Sequence, residues 1–271
     1  MTPTTETRLL VLLGDPVHHS LSPVFQNAAL RAAGLDAAYL ALRCDSASLA
    51  GLLRGIALSG GGGNVTLPHK EQAAGCVDRA TPLVERTGAC NTFWAEGGVV
   101  WGDNTDVAGV TAAVHSLLGG PPSGARVLLL GAGGAARAAL CALLDGGAER
   151  VVVHNRSPGR AEELLRRCAV GDGRARVGTP WDGPWDLVVN ATSQGIRAED
   201  PFPLELRDPL PGAVLDLVYA RGNTPWIREA HARGVPAEDG SGVLIAQGAA
   251  AWERWWGRPA PMEEMRRALA G

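Results

Sequence analysis

Short uninterrupted apolar runs alternate along this chain with stretches whose apolar positions recur every three to four residues. That alternation predicts α/β architecture, with buried strands joined by amphipathic helices. RLLVLLG (8–14) reads as a buried strand. A helix follows from Ser22, which is placed to act as N-cap, with Pro23 in the first turn and Gly34 as terminator. AAYLALR is a second strand, SASLAGLLRGIAL a helix ending in the glycine run 60–63, and GNVTL a third strand leading into helical PHKEQAAGCV. CNTFWAEGGVVWGDN reads as two strands joined by a hairpin at Glu96-Gly97-Gly98.

After Asp106, VAGVTAAVHSLL is helical and stops at the Gly/Pro cluster GGPPSG (119–124), through which no helix continues. A second series then begins: strand and turn ARVLLLGAGG, helix AARAALCALLDGG, strand RVVVHN, helix SPGRAEELLRRCA. WDLVVNAT and GAVLDLVY are later strands, TPWIREAHARG is a helix, and the tail forms two more helices. The pattern therefore predicts two domains: residues 1–107, completed by 242–271, and residues 108–241. Asp106 stands at the boundary, where ligand sites tend to form.

Composition narrows the function classes. The 271 residues are 46% hydrophobic and 20% charged, an ordinary globular balance. A net charge of −3 advertises neither a nucleic-acid nor an anionic-membrane partner. The first residues carry no secretory pattern and no apolar run is long enough to cross a bilayer, so a cytoplasmic protein is expected. Five cysteines without paired spacing read as buried reduced thiols, and no metal cluster is expected. Of the 25 basic residues a single one is lysine, Lys70. A compact amine that can give up its proton is what arginine cannot replace, so Lys70 is the first residue to suspect of chemistry.

VLLLGAGGAARAAL sets Gly131, Gly133 and Gly134, with Ala136 at the third small position, between a strand and a helix. Side-chain-free residues there let the backbone turn tightly and approach a pyrophosphate, while the helix N-terminus offers free N–H groups. The end of the next strand, VVVHNRSPGR, lacks the carboxylate that would accept from a ribose 2′-hydroxyl. It carries Arg156 and Arg160 instead, with Asn155 and Ser157 as neutral donors, a set that suits a 2′-phosphate and hence NADP.

Three polar segments close strands in the first half. GDPVHHSLSP holds Ser20 and Ser22; NVTLPHK holds Asn64, Thr66 and Lys70; GDNTD ends in Asp106, and Asn91 lies in ACNT. Singly these read as caps and turn residues. Taken together, in order and at suitable spacing with GAGGA, NRS and a late AQ, they resemble the shikimate dehydrogenase family over essentially the whole chain.

The resemblance implies a substrate-binding catalytic domain followed by a Rossmann-type NADP-binding domain, with the C-terminal helices returning to the first. The implied activity is reversible reduction of 3-dehydroshikimate to shikimate, in the biosynthesis of chorismate and aromatic amino acids. Ser20 and Ser22 match carboxylate-binding serines; Asn64, Thr66, Asn91 and Asp106 match contacts to ring hydroxyls; Tyr219 and Gln247 match later substrate contacts. Lys70 and Asp106 match the catalytic pair. Gly131, Ala132, Gly133, Gly134, Ala135, Asn155, Arg156, Ser157, Arg160 and Gly240 match the cofactor set.

His69 stands where relatives are often aromatic or apolar and is read as a local variant; His18 and His19 are read as structural. The partner implied is a small molecule, bound by a monomer or homodimer. A quinate, mixed quinate/shikimate or aminoshikimate dehydrogenase is the neighbouring alternative. From another class, a catalytically silent ligand sensor on the same scaffold should lack Lys70 or Asp106, and both are present.

Overall fold

The structure, a computed structural model, describes residues 4–197, 199–220 and 222–270. It divides into a first unit that runs to Thr105 and resumes at Gln247, and a second unit, Asp106–Ala246. The sequence reading puts these divisions at 107 and 241. The second falls instead within one continuous helix, Ser241–Trp256, so the helix start at 241 does not coincide with the change of unit.

The first unit runs β1 (Arg8–Gly14), α1 (Ser22–Ala32), β2 (Ala37–Arg43), α2 (Ser46–Leu58), β3 (Gly62–Val65), α3 (Lys70–Ala74), β4 (Arg79–Ala80), α4 (Pro82–Thr87), β5 (Thr92–Glu96) and β6 (Val99–Asp103). The second contains α5 (Asp106–Leu118), β7 (Arg126–Leu130), α6 (Gly134–Asp145), β8 (Arg150–His154), α7 (Pro158–Cys168), β9 (Ala175–Val177), β10 (Leu187–Asn190), β11 (Val214–Asp216), α8 (Pro225–Ala232) and β12 (Ala237–Glu238). The chain closes with α9 (Ser241–Trp256) and α10 (Met262–Ala270).

Sheet order in the first unit is β2-β1-β3-β5-β6-β4. β1 is parallel to β2 and β3, whereas β5 is antiparallel to both β3 and β6. From β1 the chain crosses to β2 on one side and then returns to β3 on the other. The ends of β1 and β3 therefore flank a topological switch point, the crevice where open α/β sheets take ligands. Val11, Leu13, Leu49, Leu53, Phe93 and Val100 form the core against the sheet. Each such side chain, taken fully out of water, contributes about 1.5–3 kcal/mol.

The glycine run does more than end α2. β3 is squeezed between β1 and β5, and a Cβ on Gly63 would come within 2.3 Å of the Val11 carbonyl oxygen. One on Gly61 would come within 2.4 Å of the Leu9 oxygen. The hairpin turn is made by Gly97 and Gly98, with φ of 58° and 78°, the left-handed pair a two-residue turn between twisted strands requires.

One local expectation fails. Ser22 is the first residue of α1, Leu21 is the N-cap, and no side chain caps the helix. Ser20 supports the turn instead, its hydroxyl accepting from the Ser22 N–H at 3.2 Å.

The second sheet is parallel throughout, in the order β12-β11-β10-β7-β8-β9. Its switch point lies between β7 and β10. Leu128, Leu130, Val152, Val188, Val214, Trp226 and Ile227 pack its core. Four short elements, β4, α4, β9 and β12, escape the sequence pattern. The strands are two or three residues long, too few to show a period, although Thr81-Pro82 does signal the start of α4.

Candidate active site

In the first unit, topology gathers the suspected residues. Ser20 and Ser22 follow the end of β1, and Asn64 to Lys70 close β3 and open α3. Because β5 runs antiparallel to β3, Asn91 at its start lies beside the end of β3. The end of β6 lies there too, with Thr92 opposite Asp103. Backbone bonds fasten these turns together: Asp15 N–H to Leu67 O at 3.0 Å, Val65 N–H to Asn91 O at 2.8 Å, and Cys90 N–H to Lys70 O at 2.8 Å.

A buried amide–hydroxyl network underlies the group. The Asn91 carbonyl oxygen accepts from the Thr105 N–H at 2.8 Å and from the Thr92 and Thr105 hydroxyls at 2.9 and 3.1 Å. Its amide donates to Gln247 Oε1 at 3.4 Å. Asn64 donates both amide hydrogens to protein, to Asn91 O at 3.1 Å and Thr92 Oγ1 at 2.9 Å. Its own oxygen accepts from the Tyr39 hydroxyl at 2.8 Å. Asn64, expected to meet ring hydroxyls, thus has its donors engaged in holding two strands in register and only acceptor capacity left over.

Within GDNTD the residues divide. Asp103 is buried and accepts from Arg254 Nε at 2.7 Å and the Asn104 N–H at 2.8 Å. Asn104 donates to Thr87 Oγ1 and Ala89 O at 3.0 and 2.9 Å. Both serve as framework. Asp106 is half-buried, one peptide bond beyond the anchored Thr105, and begins α5. Lys70 and Thr66 are half-buried as well.

Tyr39 is the residue the sequence reading misses. It is completely buried in β2, donates to Asn64, and is hydrogen-bonded by the Ser22 hydroxyl. Burial pushes its phenol far above the usual range, so it stays a neutral hydroxyl joining a candidate carboxylate-binding serine to Asn64. A polar tip in the apolar run AAYLALR is the available signal. Tyr39→Phe removes both bonds and almost no volume. About a tenfold rise in KM for the acid substrate is expected, one hydrogen bond's worth in a desolvated site. The dissociation constant for the nucleotide should not move; parallel kinetics and calorimetry check both.

His69 is buried, its Nε2 at 2.8 Å from Cys44 O, and so acts as a structural group. His18 and His19 are exposed and meet edge to face. Of the five cysteines four are buried and Cys76 is half-buried; burial pushes Cys90 up to about 12, far from a reactive thiolate.

The second unit carries a nucleotide cradle. Gly131 has φ of 108°, and a Cβ there would meet Ala191 O at 2.8 Å, where the loop after β7 crosses the loop after β10. Gly133 is the N-cap of α6, and a Cβ on it would meet nothing within 4 Å. That open space faces the N-terminus of a 12-residue helix, whose first N–H groups and dipole favour an anion. At the end of β8, Asn155 is half-buried and Arg156, Ser157 and Arg160 are exposed. Asn155 Nδ2 donates to Ser157 O at 2.9 Å. Among the described residues neither guanidinium is engaged in a hydrogen bond or ion pair. The residues fit a phosphorylated dinucleotide. Gly240 fits tightly under the segment after β11, its hypothetical Cβ 2.3 Å from Leu217 O, and Tyr219 is half-buried.

The chain is similar to known proteins over its full length. Residues 12–93 match the family described as shikimate dehydrogenase substrate binding domain. Residues 115–175 match shikimate / quinate 5-dehydrogenase, and 240–270 the shikimate 5′-dehydrogenase C-terminal domain. The chain is 44% identical over 281 residues to the shikimate dehydrogenase (NADP(+)) of Citrifermentans bemidjiense, covering 100% of this chain and 97% of that one. A crystal structure of shikimate dehydrogenase from Aquifex aeolicus superposes with a TM-score of 0.90 at 33% identity over the whole of both chains. The Thermus thermophilus shikimate 5-dehydrogenase, solved with NADP(H) and shikimate, gives 0.83 at 35% identity, covering 97% of this chain and 98% of that one.

Proposed function

Since this chain belongs to the shikimate dehydrogenase family, we propose that it is an NADP-dependent oxidoreductase that interconverts 3-dehydroshikimate and shikimate. The observation that carries the reading is the convergence of Ser20, Ser22, Asn64, Asn91 and Lys70 on the β1/β3 switch point, in a chain that matches NADP-dependent relatives from end to end. Metabolically this places the enzyme in the biosynthesis of chorismate and the aromatic amino acids.

NADPH bound at the glycine turn supplies the hydride. Everything else is the work of the chain's own groups. Ser20, whose hydroxyl hydrogen has no acceptor among the described residues, holds the substrate carboxylate, joined by Ser22 when its hydroxyl hydrogen turns from Tyr39 to the ligand. Thr66, Asn91, Gln247 and Tyr219 contact the ring, with Asn64 fixing the frame. Lys70 Nζ stands at the carbonyl oxygen, stabilises the negative charge that develops there and delivers a proton; in the reverse direction it takes the proton back. Asp106 orients the neighbouring hydroxyl and partners Lys70. The anchoring of Thr105, the preceding residue, to Asn91 supports this role. A hydroxyl-recognising site of this kind rejects analogues lacking the group by about 10⁴-fold or more.

Loss of NADPH absorbance on adding 3-dehydroshikimate is the direct test, run beside NADP+ reduction with shikimate and with quinate. Rapid turnover with the first two and little with quinate is expected. Turnover with quinate alone would move the assignment to the other substrate in the matched family's description, and silence throughout would favour a ligand sensor. A cytoplasmic monomer or homodimer goes with this reading.

A further inference from the structure

The fully buried carboxylate of Asp216, at the end of β11, has no part in the mechanism above. Its Oδ1 accepts from Asn190 Nδ2 at 2.8 Å and from the Val218 N–H at 3.0 Å, and its Oδ2 accepts from the Thr224 hydroxyl at 2.8 Å. Each donor belongs to a different segment. Asn190 closes β10, beside the switch point, and its oxygen in turn accepts from the Thr192 N–H at 3.0 Å and the Thr192 hydroxyl at 2.7 Å. Thr192 Oγ1 then accepts from the Gln194 N–H at 3.1 Å. This is the loop whose Ala191 carbonyl confronts Gly131. Val218 opens the segment that leads to Tyr219 and accepts from the Gly240 N–H at 3.0 Å. Thr224 caps α8 through the Ile227 N–H.

No cation pairs with Asp216 among the described residues. Burial, with a smaller contribution from Asp239, pushes its carboxyl up to about 6, so near neutral pH it remains the ionised, acceptor-only form. Such a group is expensive to bury for stability alone. What it does here is satisfy donors from three segments at once, one of which, the loop after β10, borders the crevice between β7 and β10.

We propose that Asp216 is a positioning residue for the dinucleotide, tying the loop after β10 to the segment after β11 and so fixing the wall of the cofactor crevice that the loop after β10 forms. This rests on the reading that the Gly131 turn holds NADP. An amide at 216 keeps one acceptor oxygen and turns an N–H₂ toward Thr224, loosening the tie while keeping the shape.

Calorimetric titration of the full chain with NADP+ and, separately, with shikimate tests it. Asp216→Asn should weaken NADP+ about tenfold, the low end for a hydrogen bond to a charged group, and leave shikimate binding unchanged. Without nucleotide, deuterium exchange at the Thr192, Gln194 and Val218 amides should quicken. Thr224→Val should do the same and Thr224→Ser should restore wild-type binding; that pair decides the matter if the Asp216 variant does not fold. Unchanged NADP+ affinity in both Asp216→Asn and Thr224→Val overturns the proposal, as does an equal loss of both ligands. Gly133→Val, where the protein leaves room for the side chain, is the control for the underlying reading. If it binds NADP+ normally, the cradle is misassigned; if it does not bind while Asp216→Asn and Thr224→Val keep wild-type affinity, the positioning role alone is wrong.

Discussion

Lys70→Ala is expected to lower kcat by about 10²–10⁴-fold, the span of a lost acid–base group, while NADP+ affinity stays within a factor of about two. The substitution is clean. Lys70 is the first residue of α3, alanine is the better helix former, and the backbone bond from the Cys90 N–H to the residue 70 carbonyl does not depend on the side chain. What disappears is the ammonium alone. Lys70→Arg should be nearly as impaired, because a guanidinium is larger and cannot surrender a proton in the oxidation direction. This pair bears on the composition argument directly, since arginine replaces lysine at every other basic position of the chain. Steady-state kinetics in both directions check it. Wild-type kcat in Lys70→Ala would end the assignment of this amine to the chemistry.

The double variant Arg156→Ala, Arg160→Ala should raise KM for NADPH by about 10- to 100-fold and change that for NADH by less than about threefold. A hydrogen bond to a charged group contributes about 1.5–3 kcal/mol, which would give more from two arginines; both are exposed, so solvent and salt discount the sum. Stability should not change, because neither side chain is held by a hydrogen bond or ion pair among the described residues. The effect should shrink as ionic strength rises. Equal losses with NADPH and NADH would place the arginines on a part of the nucleotide common to both, and the 2′-phosphate assignment would fall.

Much of this is legible in the chain. The alternation of buried runs and amphipathic stretches sets the two βα series, and Gly131 and Gly133 mark their turn by lacking side chains. Ser22 misleads because a serine ahead of Pro23 has the signature of a cap, while the turn actually closes through the Ser20 hydroxyl. The run 60–63 reads only as a stop, since a sequence does not show that the following strand has neighbours pressed against it on both sides. Tyr39 and Asp216 are invisible as site residues for one shared reason. Each lies on an apolar strand, and its partners are distant in sequence: Asn64 is 25 positions from Tyr39, and Asn190 is 26 from Asp216.

By itself, then, the sequence determined the class of fold, the glycine turn, the basic rather than acidic end of β8 and the solitary amine at position 70. These are local properties, written in hydrophobic period, backbone freedom and charge within a few residues. Tertiary structure decided the strand orders, and with them the two switch points, the first of which brings the ends of β1, β3 and β6 and the start of β5 to one place. It also decided which polar groups, like Asn64, Asp103 and Asn104, are consumed in holding the frame. A buried donor must find an acceptor wherever the fold brings one, and that choice depends on neighbours in space that the order of residues does not reveal.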